Sequence, residues 1–512
     1  MIERILTVGG FTLVSRITGF VRDIILAAVL GAGPAADAFF VALRLPNHFR
    51  AIFAEGAFNA AFVPSYARIR EQQGAGGAQI FADRVFTLLL ISQIVLLAIA
   101  LVFTPQVIDV LAPGLSDDPE RYPLAVTLTR ITFPYLLLIT LVTLYGGMLN
   151  ALHRFAAAAA APIFLNVAIV MALAVAWWFP TPGHAAAWGV LASGVMQYLL
   201  LAGDTRRAGI FPVLRKPRLD VDVRKFFRAL GPATVGSGGV QLALFADTII
   251  ASFLPAGAIS ALYYADRIDQ LPIGVIGIAA GTVVLPEMSR HLALGNADAA
   301  LHAQNRAVEL TLLLSIPCVV AFFVVPDIIM RGLFVRGAFT AGDALSAART
   351  LSAYAVGLLP FVLIRSVVAA FYARGDTATP VKAALIAAAV NIALKVALMG
   401  PLAQVGLALA TSLGAWINFG LVVWFARRAG YGGIDARLQH SLARLVVAGF
   451  ILAAVLLLVR FPLLTYTGTW RFFREETVLA AVVLVGAVTY GICVGTLLGR
   501  GWFRAFRQGA TG

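Results

Sequence analysis

Fourteen runs of about 20 or more apolar residues follow one another along this chain, divided by charged or Pro/Gly-containing breaks, and a run of that length can cross a bilayer as a helix. They lie near 6–30, 37–64, 84–111, 123–150, 159–179, 185–203, 226–253, 259–286, 306–330, 348–372, 379–399, 404–426, 440–460 and 476–499. With 60% hydrophobic and only 12% charged residues in 512, this is the composition of an all-α polytopic membrane protein and not of a soluble domain. The first run continues past Arg16 and Arg22 with no small-residue cleavage site, so a retained first helix is expected rather than a signal peptide.

Cytoplasmic loops retain Lys and Arg, and here the basic connections follow spans two, six, eight and twelve. The longest holds Arg206, Arg207, Arg215, Lys216, Arg218, Arg224, Lys225 and Arg228, whereas the connection between spans three and four, PGLSDDPERY, is acidic. Both termini are therefore expected in the cytoplasm. Arg331, Arg336 and Arg349 in the 9–10 loop and Arg471 and Arg474 in the 13–14 loop run against that bias. The net charge of +14 flanks membrane spans with no aromatic-interleaved stripe, which points to anionic phospholipids and not to nucleic acid. Cys318 and Cys493 lie in apolar runs, so neither a disulfide nor a metal site is expected. The chain has no nucleophile with a base, no phosphate-gripping loop and no His/Cys metal spacing; it reads as a non-enzyme without cofactor.

The first half recurs 221 to 224 residues later. DIILAAVLGAGPAADAFF from Asp23 matches DTIIASFLPAGAISALYY from Asp247, AFVPSYAR around Pro64 matches VVLPEMSR around Pro286, and RRAG at 206–209 recurs at 427–430. A unit of six spans crosses an even number of times, so the two copies share one orientation. The expected division is 1–210 and 211–430 as two six-helix lobes, with 431–512 supplying two further helices and a cytoplasmic tail. Two such lobes that rock against each other make a transporter by alternating access.

Five arginines, Arg16, Arg22, Arg44, Arg50 and Arg267, fall inside or beside these runs. Each one at the centre of a membrane helix costs ~2.5 to 3.5 kcal/mol, roughly 12 to 17 kcal/mol for the set. Arg44 is expected to be an interface anchor, because LRLPNHFR can break its helix at Pro46. Asp23, Asp37, Glu55, Asp266 and Asp269 accompany the arginines. Arg22 and Asp23, like Asp266 and Arg267, are neighbours that point about 100° apart on a helix, so neither pair is expected to neutralise itself on one face. Partners from other helices, or an anion of two or more charges held bidentately, would do so instead. Loop cations such as Arg215 are expected to tolerate replacement by alanine.

SRITGFVRDIILAAVLGAGPAADAFFVALRLPNHFRAIFAEGAFNAAFVPSY at 15–66 closely resembles the start of the MurJ/MviN family of lipid II flippases. YYADRIDQLPIGVIGIAAGTVVLP at 263–286 and FYARGDTATPVK at 371–382 look like further signatures, and the resemblance runs over essentially the whole length. It implies a fold of the multidrug/oligosaccharidyl-lipid/polysaccharide exporter superfamily. It implies as substrate the undecaprenyl-diphosphate-linked peptidoglycan precursor, moved outward across the bacterial inner membrane, with room for transient contacts with peptidoglycan-synthesis enzymes. By the same resemblance Arg16, Arg22, Arg50 and Arg267 would bind the substrate, while Asp37 and Glu55, with Asp266 and Asp269, would support the cavity and its gates. Some relatives carry Glu at the position of Gln270 and an acidic residue at that of Lys395. Lys395, with Asn391 one turn before it, is therefore expected to pair with Asp247 and to fill the place of a bound sodium ion. The alternatives are a flippase for another polyprenyl-linked glycan, and a drug or organic-cation antiporter of the same superfamily, whose cavity would need carboxylates in place of arginines.

Overall fold

The computed structural model describes residues 2–50, 56–470 and 472–509. It is all-helical, with no strand among the described residues. The chain divides into two compact units, Met1–Ser260 with Arg336–Phe339, and Ala261–Val335 with Thr340–Gly512. The first unit contains α1 (Ile2–Leu30), α2 (Pro34–Arg50), α3 (Gly56–Val102), α4 (Thr104–Leu111), α5 (Arg121–Thr132), α6 (Pro134–Ala151), α7 (Ala156–Ala174), α8 (Pro182–Arg207) and α9 (Val221–Ser252). The second is built from α10 (Ala258–Ala293), whose first turn through Ser260 belongs to the first unit, and from α11 (Ala297–Val324), α12 (Pro326–Phe334), α13 (Ala341–Tyr372), α14 (Ala378–Arg428), α15 (Ala436–Tyr466) and α16 (Arg474–Gly509).

Among the described residues nine helices are long and apolar enough to cross a membrane, which establishes the polytopic class without fixing the expected count of fourteen. Two of the nine are hairpins. In α14 the helical path breaks at Ala403 (φ 47°, ψ −129°). The two legs then pack antiparallel, since a Cβ on Gly406 would lie 2.3 Å from the Leu398 carbonyl oxygen and one on Gly414 2.9 Å from the Asn391 Cβ. The expected runs 379–399 and 404–426 are these legs. In α3 the break is at Gly74, and Phe62 and Phe81 stack across it with centroids 5.7 Å apart.

Of the expected second run, 37–64, residues 37–50 lie in α2 and 56–64 in α3, and 51–55 lie outside the described residues. The expected break at Pro46 does not occur, because α2 runs through it. Proline there removes the donor that would have bonded the Ala42 carbonyl, and the Thr132 hydroxyl of α5 donates to that oxygen instead at 3.1 Å. Arg44 and Arg50 consequently ride on one continuous helix.

Two local arrangements each occur twice. α8 and α14 both end in RRAG, and the same 6→1 closure follows in each: Ile210 N–H donates to the Thr205 carbonyl at 3.0 Å, and Tyr431 N–H to that of Ala426 at 2.8 Å. Likewise α3 gives way to α4 around Phe103 and α11 to α12 around Val325, each just before a proline. The connection from α8 to α9 is tied down. Buried Asp83 of α3 accepts from Val213 N–H at 3.0 Å and Arg215 Nε at 2.8 Å, and Thr87 Oγ1 accepts from Arg215 N–H at 3.0 Å. Arg215 is thus a partner of a buried carboxylate.

Candidate functional site

α1 carries the first part of the site. Arg22 donates to Asp23 Oδ1 from Nη2 at 2.7 Å and from Nε at 3.0 Å, so these neighbours do pair, contrary to the sequence expectation. The 100° between their Cβ directions is overcome by the length of the arginine side chain, which swings back around the helix. Its Nη1 donates to Asn166 Oδ1 of α7 at 2.9 Å. Asn166 is itself fixed, its Nδ2 donating to the Ser15 carbonyl and to Thr18 Oγ1 at 3.0 Å each. Gly19 lies against this amide, where a Cβ would come within 3.4 Å of Nδ2. A polar knot of Ser15, Thr18, Arg22, Asp23 and Asn166 therefore joins two otherwise apolar helices. Asn166 was missed in the sequence; the signal was a lone carboxamide in the run AAAAAAPIFLNVAIVMALA.

The other arginines differ in environment. Arg16 is exposed on α1, Arg44 and Arg50 are half-buried on α2, and Glu55 lies outside the described residues. Arg267, in the second unit, is half-buried with its Cζ 4.7 Å above the Tyr263 ring, one turn back along α10. Its neighbour Asp266 instead accepts from Gln270 Nε2 one turn forward at 3.3 Å, so here the divergence expected of adjacent positions is seen. Asp269 is 2% exposed while Gln270 is exposed, which places the acid inside the unit. Lys395 is also buried, at 3% exposure, and Asp247 is half-buried on α9.

Asp37 forms a second knot, within the first unit. Fully buried on the first turn of α2, it accepts from Gly257 N–H at 2.7 Å, Ser260 N–H at 2.9 Å and Ser260 Oγ at 2.5 Å. It thereby caps α10 from another helix, supplying an acceptor to the free N–H groups and a negative charge to the positive end of the dipole. Arg121 Nη1 lies 3.6 Å from the same carboxylate and donates to the Leu254 carbonyl at 3.0 Å, and its Nε donates to Asp118 at 2.7 Å. Asp118 in turn accepts from the N–H groups of Glu120 and Arg121, and these bonds, that to Arg121 first, hold its carboxyl below the usual range. Arg121 escaped the sequence reading because it sits in an acidic loop; a lone cation among three acids was the available clue.

Two glycines let the surrounding chain close onto this knot. At Gly257 (φ 87°) a Cβ would lie 2.8 Å from the Ala32 carbonyl oxygen, and at Gly337 (φ 57°) 2.2 Å from that of Ala28, which also accepts from Ala338 N–H at 2.7 Å. Gly114 N–H donates to Ser252 Oγ at 3.0 Å. Four segments far apart in sequence, around residues 28–37, 112–121, 252–260 and 336–339, are thus bound together by backbone contacts and one buried ion pair. The arrangement has a charged, hydrogen-bonded knot within a helix pair and a backbone latch at helix ends.

A family model described as lipid II flippase MurJ matches residues 26–478. A probable lipid II flippase MurJ of Rhizobium meliloti (strain 1021) is 42% identical over 508 residues, covering 96% of this chain and 94% of the relative. A lipid II flippase MurJ of Burkholderia cenocepacia is 35% identical over 469 residues, covering 89% of each. Among solved structures, lipid II flippase MurJ in an inward closed conformation is similar in fold, with a TM-score of 0.79 at 24% identity over 96% of this chain and 98% of that one. An inward-facing multidrug-resistance transporter of the MATE family and MOP superfamily gives 0.65 at 15% identity, over 81% and 94%.

Proposed function

The chain belongs to the MurJ family of lipid II flippases, and from that premise we propose that it moves lipid II from the cytoplasmic to the periplasmic leaflet of the inner membrane by alternating access. It is a multi-pass membrane transporter of that family, not an enzyme. In this reading Arg16, Arg22, Arg50 and Arg267 take the place of water around the diphosphate, which cannot enter hydrocarbon unaided. Both termini lie in the cytoplasm, and anionic phospholipids surround the basic loops.

The observation that carries the reading is the Arg22 guanidinium, held between apolar helices by Asp23 and by an asparagine that is itself locked to α1. Such a preorganised cation loses little freedom when it meets a diphosphate. The latch around Asp37 and Arg121 acts as the gate that opens and recloses in each cycle. Its bonds are to backbone groups at helix ends, which can part without unfolding a helix.

The test is full-length protein in vesicles loaded with fluorescent lipid II, with outer-leaflet label quenched over time. The wild type moves lipid II, and Arg22→Ala, Arg50→Ala and Arg267→Ala each lower the rate at least tenfold. Protein-containing vesicles no faster than empty ones would refute the function. Lys395 is proposed to stand in for a coupling cation, with Asp247 as its countercharge. Transport by the wild type is then independent of sodium, and a sodium-dependent rate would overturn that role.

A further inference from the structure

Arg365 lies on α13 seven residues before the helix ends at Tyr372, about 10 Å inside that end at 1.5 Å per residue. It is the one charged residue between 350 and 371, so by the reasoning applied to the other arginines its presence in an apolar helix needs a cause. The side chain is exposed and makes no hydrogen bond or ion pair among the described residues. It borders a cleft of about 480 Å³ in the second unit, whose walls include Leu285, Ile364, Val368, Val381 and Asn418. α10 makes room for the guanidinium: a Cβ on Gly277 would lie 3.0 Å from Arg365 Nε and 3.3 Å from its Cζ. On the same cleft Asn418 has a buried Oδ1 without a hydrogen-bond partner among the described residues.

A permanent cation and a carboxamide at an apolar cleft are not satisfied by hydrocarbon chains alone. Their complement is an amphiphile that brings an anionic group and a hydroxyl or amide donor on a long apolar body. We propose that this cleft is a second recognition point for a polyprenyl diphosphate, with Arg365 on a phosphate oxygen, Asn418 on a polar group beside it and the isoprenoid chain along Leu285, Ile364, Val368 and Val381. This deepens the function proposed above and rests on it for the identity of the complete substrate.

The experiment uses full-length protein in detergent, labelled by a photoreactive farnesyl diphosphate and, separately, by a photoreactive farnesol. Wild-type label from the diphosphate falls on the peptides containing Ile364–Tyr372 and Pro380–Ala384. Arg365→Gln reduces it roughly tenfold, as expected for one lost bond to a charged group. Arg365→Lys retains more label than Arg365→Gln, Gly277→Val reduces it, and the farnesol label is unchanged in all. The melting temperature of Arg365→Gln stays at the wild-type value, because no native bond is removed. Equal labelling of Arg365→Gln and wild type overturns the proposal. So does displacement by phosphatidylglycerol at the same concentration as farnesyl diphosphate, which would make the cleft a general phospholipid site. Lipid II transport by the wild type without cleft labelling sinks this inference alone; cleft labelling without lipid II transport sinks the function and leaves the polyprenyl-diphosphate site.

Discussion

Replacing Asn166 by leucine changes little in volume and removes three hydrogen bonds at once, those from Arg22 Nη1 and to the Ser15 carbonyl and Thr18 Oγ1. The bond to the charged guanidinium contributes about 1.5 to 3 kcal/mol and each neutral one about 0.5 to 1.5 kcal/mol, so the variant is destabilised by roughly 3 to 5 kcal/mol. Only the first of these concerns the substrate. If Asn166 holds Arg22 in its binding geometry, losing half of that bond's worth costs about 0.8 to 1.5 kcal/mol of affinity, roughly three- to tenfold. Lipid II binding by native mass spectrometry, with the melting temperature measured in parallel, separates the two effects. A double-mutant cycle between Arg22→Ala and Asn166→Leu should give a coupling of about 1 to 2 kcal/mol in binding. Asn166→Leu with a lowered melting temperature but unchanged affinity and transport rate would refute the positioning role and leave the knot as a structural tie alone.

Asp37→Ala strands three donors and the Arg121 guanidinium in a buried site, and is expected to destabilise the first unit by about 3 to 5 kcal/mol, whereas Asp37→Asn, which keeps an acceptor, should retain more of the melting temperature. Arg215→Ala leaves buried Asp83 short of its charged donor and should lower the melting temperature clearly more than Lys216→Ala, whose side chain is exposed. Asp118 has a folded-state pKa below its unfolded value near 3.9, so its contribution is present above about pH 4 and disappears as the pH falls through the lower, folded value. Hydrogen exchange at residues 112–121 should therefore speed up on acidification below about pH 4 in the wild type and be insensitive to that change in Asp118→Ala.

The fold was legible because the bilayer imposes a length and a polarity on every span, and these can be counted in sequence. Runs such as 185–203 and 348–372 fall within single helices, α8 and α13. What resisted reading were the places where a local rule is settled by a distant partner. Pro46 breaks nothing because Thr132, 86 residues away, takes over the freed carbonyl. Arg22 and Asp23 pair because a long side chain is not confined to the direction of its Cβ. Asp37 was singled out, but neither its capped helix nor Arg121 could be inferred, since both depend on how loops 84 and 220 residues away fold back. Arg365 is legible by the same rule as the other arginines, being the one charge between 350 and 371.

The tied connection between α8 and α9 has a practical side. Its first part is bonded to Asp83 and Thr87 through Val213 and Arg215, and its last residue, Asp220, caps α9 and pairs with Arg84. Only 216–219 lie exposed between these two clamps. A fluorescent reporter or an affinity tag spliced into that window would have both ends held by native bonds. The chain could then be labelled, or cut by a protease at an engineered site, between α8 and α9 without loosening either helix.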